Sequence, residues 1–94
     1  MMDASKRLAK SERHLRLARV TGETIRRERQ LLHWTQGKLA HEADLTTETL
    51  GRIERGEIFV TYPKLMDILY ALDLPETSCM AIFRQDAELR RVAA

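Results

Sequence analysis

This sequence has one cysteine in 94 residues, Cys79, so it cannot form an internal disulfide. That suits a reducing cytoplasm, where Cys79 reads as a small apolar residue on a helix. Only two prolines and four glycines interrupt long runs of Leu, Ala, Arg and Glu, which favours helices. Apolar and polar residues never alternate for more than a few positions, so no sheet is expected. No run is long and apolar enough to span a membrane, and the start, MMDASKRLAK, lacks the hydrophobic core of a secretory signal. The histidines, His14, His33 and His41, are scattered away from Cys79 and read as surface residues. No metal site or cofactor is expected, because His41 and Asp44 make only two ligands. No nucleophile–base pair or phosphate loop points to an enzyme.

The charge is uneven. Residues 1–30 carry nine Lys/Arg against four Asp/Glu, and residues 31–94 carry seven against ten. A basic first third suggests an anionic partner, although a run of charge is also what a solvated face looks like. A chain of this length forms one small domain with a modest core, so a partner surface is expected.

Residues 3–20 read as a basic helix or arm with a ragged apolar stripe of Leu8, Leu15, Leu17, Ala18 and Val20. Thr21 is placed to cap a helix reaching about His33, with Ile25 and Leu32 on one face. Thr35 caps a short helix from Gln36 to Ala43, with Leu39, Ala40 and Ala43 inward. Asp44 suits a left-handed turn, and Leu45 plugs the core beside it. Thr46 caps the next helix, which Gly56 stops. Thr61 caps a fourth helix with Pro63 in its first turn, where the missing N–H costs nothing. Its apolar face is Leu65, Ile68, Leu69 and Leu72. A fifth helix starts near Pro75 or Glu76 and reaches Arg90 or Arg91, with Met80, Phe83 and Ala87 on one stripe and Cys79, Ile82 and Asp86 on the next.

Counted from Gln36, Ala40, Asp44, Leu50 and Ile53 fall four, eight, fourteen and seventeen residues on. Two short helices crossing steeply need a small residue at the contact, a turn-tolerant residue between them and two inward aliphatics on the second helix. The chain supplies each. Leu50 and Ile53 then anchor the second helix and leave its opposite face free to enter a major groove.

The segment IRRERQLLHWTQGKLAHEADLTTETLGRIERG resembles the lambda-repressor-like Xre/Cro helix-turn-helix family. The family's pieces stand in order as Ile25-Arg26, Thr35-Gln36, Leu39-Ala40, Asp44-Leu45, then Leu50, Ile53, Glu54 and Gly56; the run from Leu65 to Leu74 matches its fourth helix and the step beyond. The resemblance covers about residues 22–80. Asp44 departs from the usual turn glycine, Val60 from a common proline and Glu57 from a common basic or polar residue, and Gly37 weakens the start of the second helix. The implied fold is all-α, a five-helix domain over residues 22–80. Residues 1–21 form an extra basic helix or arm, and residues 81–94 extend the C-terminal helix as a possible dimerisation element.

The resemblance implies base contacts from Thr47, Glu48 and Arg52. Their chemistry fits: arginine forks onto guanine, glutamate accepts from cytosine N4, and a threonine methyl meets that of thymine. A Glu48–Arg52 ion pair within the helix is the alternative for those two. Phosphate contacts are implied for Gln36, where free backbone N–H groups at the helix start would help, and for Thr46 after its capping role. Arg26, Arg55 and Lys64 are further candidates. Glu54 reads as the partner of Arg29 in a structural ion pair rather than as a catalytic acid. Gly51 would let its helix approach the groove wall, and Trp34 reads as a core or staple residue. Ile58, Phe59, Met80, Phe83 and Ala87 are the dimerisation candidates.

The expected function is a sequence-specific regulator, a repressor acting as a homodimer on a pseudo-palindromic operator in double-stranded DNA. The alternatives are an antitoxin that binds a toxin and represses its own operon, with the terminal segments holding the toxin, and a helical protein-binding adaptor without DNA contact.

Overall fold

The computed structural model describes residues 4–74, 82–88 and 91. Four helices run in order: α1 (Ala4–Leu31), α2 (Gln36–Glu42), α3 (Thr47–Glu54) and α4 (Tyr62–Ala71). Residues 82–88 form the described part of a fifth, and there is no strand among the described residues. The expected start of that helix near Pro75, with Cys79 and Met80, lies outside the described residues.

α1 is the first departure from the sequence reading. It is one helix of 28 residues, about 42 Å long at 1.5 Å per residue. The boundary expected at Thr21 falls in its interior. Thr21 caps nothing and is buried, and the Thr24 hydroxyl donates to the Val20 carbonyl one turn back, 2.9 Å away. Gly22 sits mid-helix because α3 presses on it. A Cβ there would lie 2.2 Å from the Ile53 carbonyl oxygen and 2.7 Å from that of Glu54. The glycine therefore marks a backbone-to-backbone crossing, not a break.

α1 packs on α3, α3 on α2 and α2 on α4. The core they share is Ile25, Leu39, Ala40, Ala43, Leu50, Ile53, Ile68 and Leu72. Leu32 does not join Ile25 on one face. α1 has ended by then, and Leu32 is 43% exposed. In the fifth helix Ile82 turns inward, whereas Phe83 is 58% exposed and Ala87 is half-buried.

The helix ends explain how short elements stay in place. Each terminates in a left-handed residue: His33 (φ 59°), Asp44 (φ 55°), Gly56 (φ 72°) and Asp73 (φ 50°). After α2, the Asp44 N–H donates to the His41 carbonyl at 3.2 Å and the Leu45 N–H to that of Ala40 at 2.8 Å. After α3, Gly56 donates to Ile53 and Glu57 to Arg52, both at 3.0 Å. This paired pattern satisfies carbonyls that a helix end otherwise leaves unpaired. Trp34, Leu45 and Leu74, each following such a residue, pack against the core. At the N-termini, the Thr35 hydroxyl accepts from the Lys38 N–H and that of Thr46 from the Thr49 N–H, each at 3.1 Å. Thr61 holds the cap position of α4 but makes no side-chain cap bond, so Pro63, with its preset backbone, is left to favour the helix start.

Candidate nucleic-acid interface

α2 and α3 are joined by a turn of four residues, 43–46, with the small Ala40 and Ala43 buried in the core they share. Leu50 and Ile53 face the core. Thr47, Glu48 and Arg52, on the other side of α3, are exposed. No ion pair joins Glu48 to Arg52 among the described residues, so both side chains are available to an outside partner.

Beneath α3 sits a polar cluster. Arg29 Nε donates to Glu54 Oε2 at 2.7 Å and Nη2 to Oε1 at 2.9 Å, so the guanidinium forks onto the carboxylate. Arg29 Nη1 reaches the Trp34 carbonyl at 2.8 Å, and Gln36 Nε2 donates to Glu54 Oε1 at 3.0 Å. The Glu54 side chain is 1% exposed and that of Arg29 10%. A buried carboxylate needs this many donors, because an unpaired charge there would be strongly destabilising. The cluster ties α1, α2 and α3 together at one point.

Gln36 thus has a structural partner as well as a place at the edge of the interface. Of its two amide hydrogens one is committed to Glu54 and the other remains for an external acceptor. Gly51 is buried rather than turned to a groove wall. A Cβ there would come 3.1 Å from Arg55 Nη1 and 3.6 Å from Gln36 Oε1, so the glycine makes room for those side chains. Arg55 pairs with exposed Glu57, and Arg26 is exposed. Thr46 caps α3 while remaining exposed, and its hydroxyl donates to Thr49 Oγ1 at 2.8 Å.

Lys64 stands apart from that face. Its ammonium donates to the carbonyls of Ala43 and Asp44 at 3.1 and 3.3 Å and lies 3.3 Å from Asp67. A cation at the carbonyl end of α2 is favourable, and that role occupies the donors a phosphate would need. Trp34 packs against the core, with the Lys38 ammonium 5.3 Å from its ring centre.

A separate apolar groove, about 210 Å³, lies between α1, the loop after α3 and the fifth helix. Leu17, Ile58, Phe59, Val60 and Phe83 line it. Phe59 is 63% exposed, and its ring meets His14 edge-on at 6.3 Å. Among the described residues no group of three metal-ligating side chains converges, and no helix is long and apolar enough to cross a membrane.

The sequence matches the model of the helix-turn-helix family over residues 25–77, more than half of the chain. In structure it is similar to the restriction-modification controller protein C.AhdI from Aeromonas hydrophila, with a TM-score of 0.65 and 25% identity. The likeness covers 69% of this chain and 94% of that one. No curated protein matches the sequence.

Proposed function

The chain belongs to the lambda-repressor-like helix-turn-helix family of DNA-binding transcriptional regulators, and from that premise we propose that it is a sequence-specific repressor acting as a homodimer on a pseudo-palindromic operator. The observation that carries the reading is the outer face of α3. Thr47, Glu48 and Arg52 stand exposed without an ion pair among themselves, on a helix braced from behind by the Arg29–Glu54 fork. Arg52 supplies the fork for guanine and Glu48 an acceptor for cytosine N4, while the Thr47 methyl packs on thymine. Gln36, through its remaining amide hydrogen, and Thr46, through its backbone N–H because its hydroxyl proton goes to Thr49, hold the DNA backbone and fix the register of α3 in the groove. Arg55 and Arg26 add positive charge beside them. Lys64 is left out, because its ammonium already serves the end of α2.

The partner for the apolar groove is a second copy of the chain. Phe59, Phe83 and Ile58, which line it, with Ala87 of the fifth helix, form the dimer surface. Two linked reading helices then meet half-sites about one helical turn apart, and the second engages at high effective concentration. C.AhdI is a restriction-modification controller protein, a role that fits a small regulator of this kind. No observation favours the antitoxin reading, and nothing points to a toxin as partner.

Selection of bound sites from random duplex DNA, with the mass of the complex measured, tests the reading. A two-fold-symmetric site carrying two chains is expected, and Phe59→Ala with Phe83→Ala should yield monomer. Failure to enrich any sequence, or binding unchanged when Arg52 and Gln36 are both replaced by alanine, would overturn it.

A further inference from the structure

α1 and the end of α3 enclose a polar cleft of about 500 Å³, floored by the Arg29–Glu54 pair and edged by Gln36 and Arg55. Its long wall is α1 itself. Arg19, Glu23, Arg26 and Gln30 recur at intervals of four, three and four residues, which places them on one face of the helix. Among the described residues Arg19 and Arg26 make no ion pair or hydrogen bond, although Glu23 stands one turn from each. The remaining arginines of this stretch are engaged differently. Arg16 pairs with Glu12 at 2.5 Å, Arg27 approaches Glu28 at 4.0 Å, and Arg29 is committed to Glu54. Among the described α1 side chains Arg13 also lacks an ion pair, but it lies away from the cleft, which only Arg19 and Arg26 border without a partner.

Position reinforces the pattern. Arg19 packs beside Gly56, where α3 ends, since a Cβ on that glycine would lie 2.8 Å from the Arg19 Cα and Cγ. Arg26 lies two turns further on, toward Gln36. The pair spans about 10 Å along the α1 axis, far enough apart to meet two different phosphates.

We propose that this cleft is a second backbone site, in which Arg19 and Arg26 of α1 bind phosphates of the DNA strand flanking the base pairs read by α3. The proposal rests on the DNA-binding reading above. It assigns Arg19, on the part of α1 that precedes the family-matched segment, a role in affinity, and it makes α1 a rail along the backbone rather than a support alone. Phosphate contacts carry no base information, so the rail tightens binding to any sequence equally.

The test compares two double variants of the full chain that remove the same charge from the same helix. Arg19→Gln with Arg26→Gln empties the cleft face. Arg16→Gln with Arg27→Gln empties faces that point elsewhere. Binding to the selected operator and to a scrambled duplex is measured against salt, with melting curves as the control for folding. The cleft variant is expected to reduce the steepness of log affinity against log salt by about two per bound chain, about four for the dimer on its operator, one for each lost phosphate contact. It should leave the preference for operator over scrambled DNA unchanged, and Arg19→Lys with Arg26→Lys should restore the slope. The control pair should leave the slope near that of the parent. An unchanged slope in the cleft variant, an equal loss in the control pair, or a lost preference would each overturn the rail while leaving the DNA-binding reading intact. A parent chain that binds no duplex at low salt would overturn both.

Discussion

Where α3 crosses α1, the buried Glu54 carboxylate is fully partnered and the two backbones touch at Gly22. Glu54 receives three donors, and Gly22 of α1 lies so close that a methyl group would collide with two carbonyls. On the opposite side, Thr47, Glu48 and Arg52 are exposed, and at neighbouring Gly37 a Cβ would make only ordinary contacts. One helix of eight residues thus carries two chemistries a few ångströms apart. The inner side spends its polar groups on holding position, which leaves the outer side free to be read by something else.

This contrast is testable by substitution. The largest effect is expected from Arg29→Ala, which leaves the Glu54 carboxylate buried with only the Gln36 amide. It should cost about 3–5 kcal/mol of stability, and a melting curve like that of the parent would break the comparison. Gly22→Ala comes next. Alanine is the better helix former by about 1 kcal/mol, yet the collision with backbone that cannot move aside should leave a net loss of about 1–3 kcal/mol in chemical denaturation. Arg52→Ala, on the outer side, should leave the denaturation midpoint alone and weaken operator binding by about 1–3 kcal/mol, with relaxed preference at one base pair. Gly37→Ala is the outer counterpart of the Gly22 change. Its nearest neighbours would be the hydroxyls of Thr35 and Thr47, both at 3.8 Å, so the sign reverses and a gain of about 0.5–1 kcal/mol is expected.

The smallest effect contrasts an outer ion pair with the inner one. The Lys38 side chain, first by its hydrogen bond at 2.9 Å and then by its charge, holds the Glu42 carboxyl below its ordinary range. A lowered folded-state value means that the contribution is present above the unfolded value and fades as pH falls through the folded one. Lys38→Ala should raise the Glu42 titration midpoint, read by NMR, with almost no change in melting, because exposed pairs of this kind contribute little.

Much of this was legible in the sequence because it depends on spacing. The ordered small and aliphatic residues of α2 and α3 point to the right core positions, and Asp44 adopts the left-handed turn its side chain tolerates. The Arg29–Glu54 contact came with the family resemblance and could not be read from two charges 25 positions apart. What stayed hidden depends on neighbours distant in sequence. Thr21 and Gly22 look like punctuation, but Gly22 is small because α3 crosses there, so α1 runs through. Leu32 continues a helical pattern in a place where the helix has already ended. Ile82 and Phe83 are both apolar, and only the packed structure shows which turns inward. Lys64 looked free because the end of α2 that it meets is 20 residues earlier.

The Gln36 amide, fastened to Glu54 before any DNA arrives, has one further consequence. A loose glutamine would have to be immobilised at the moment of contact, at about 0.5–1.5 kcal/mol for a side chain with that much rotational freedom. Here the freezing happens while the chain folds. In the proposed complex the hand meant for the backbone is thus already raised, so encounter with DNA need not wait for it.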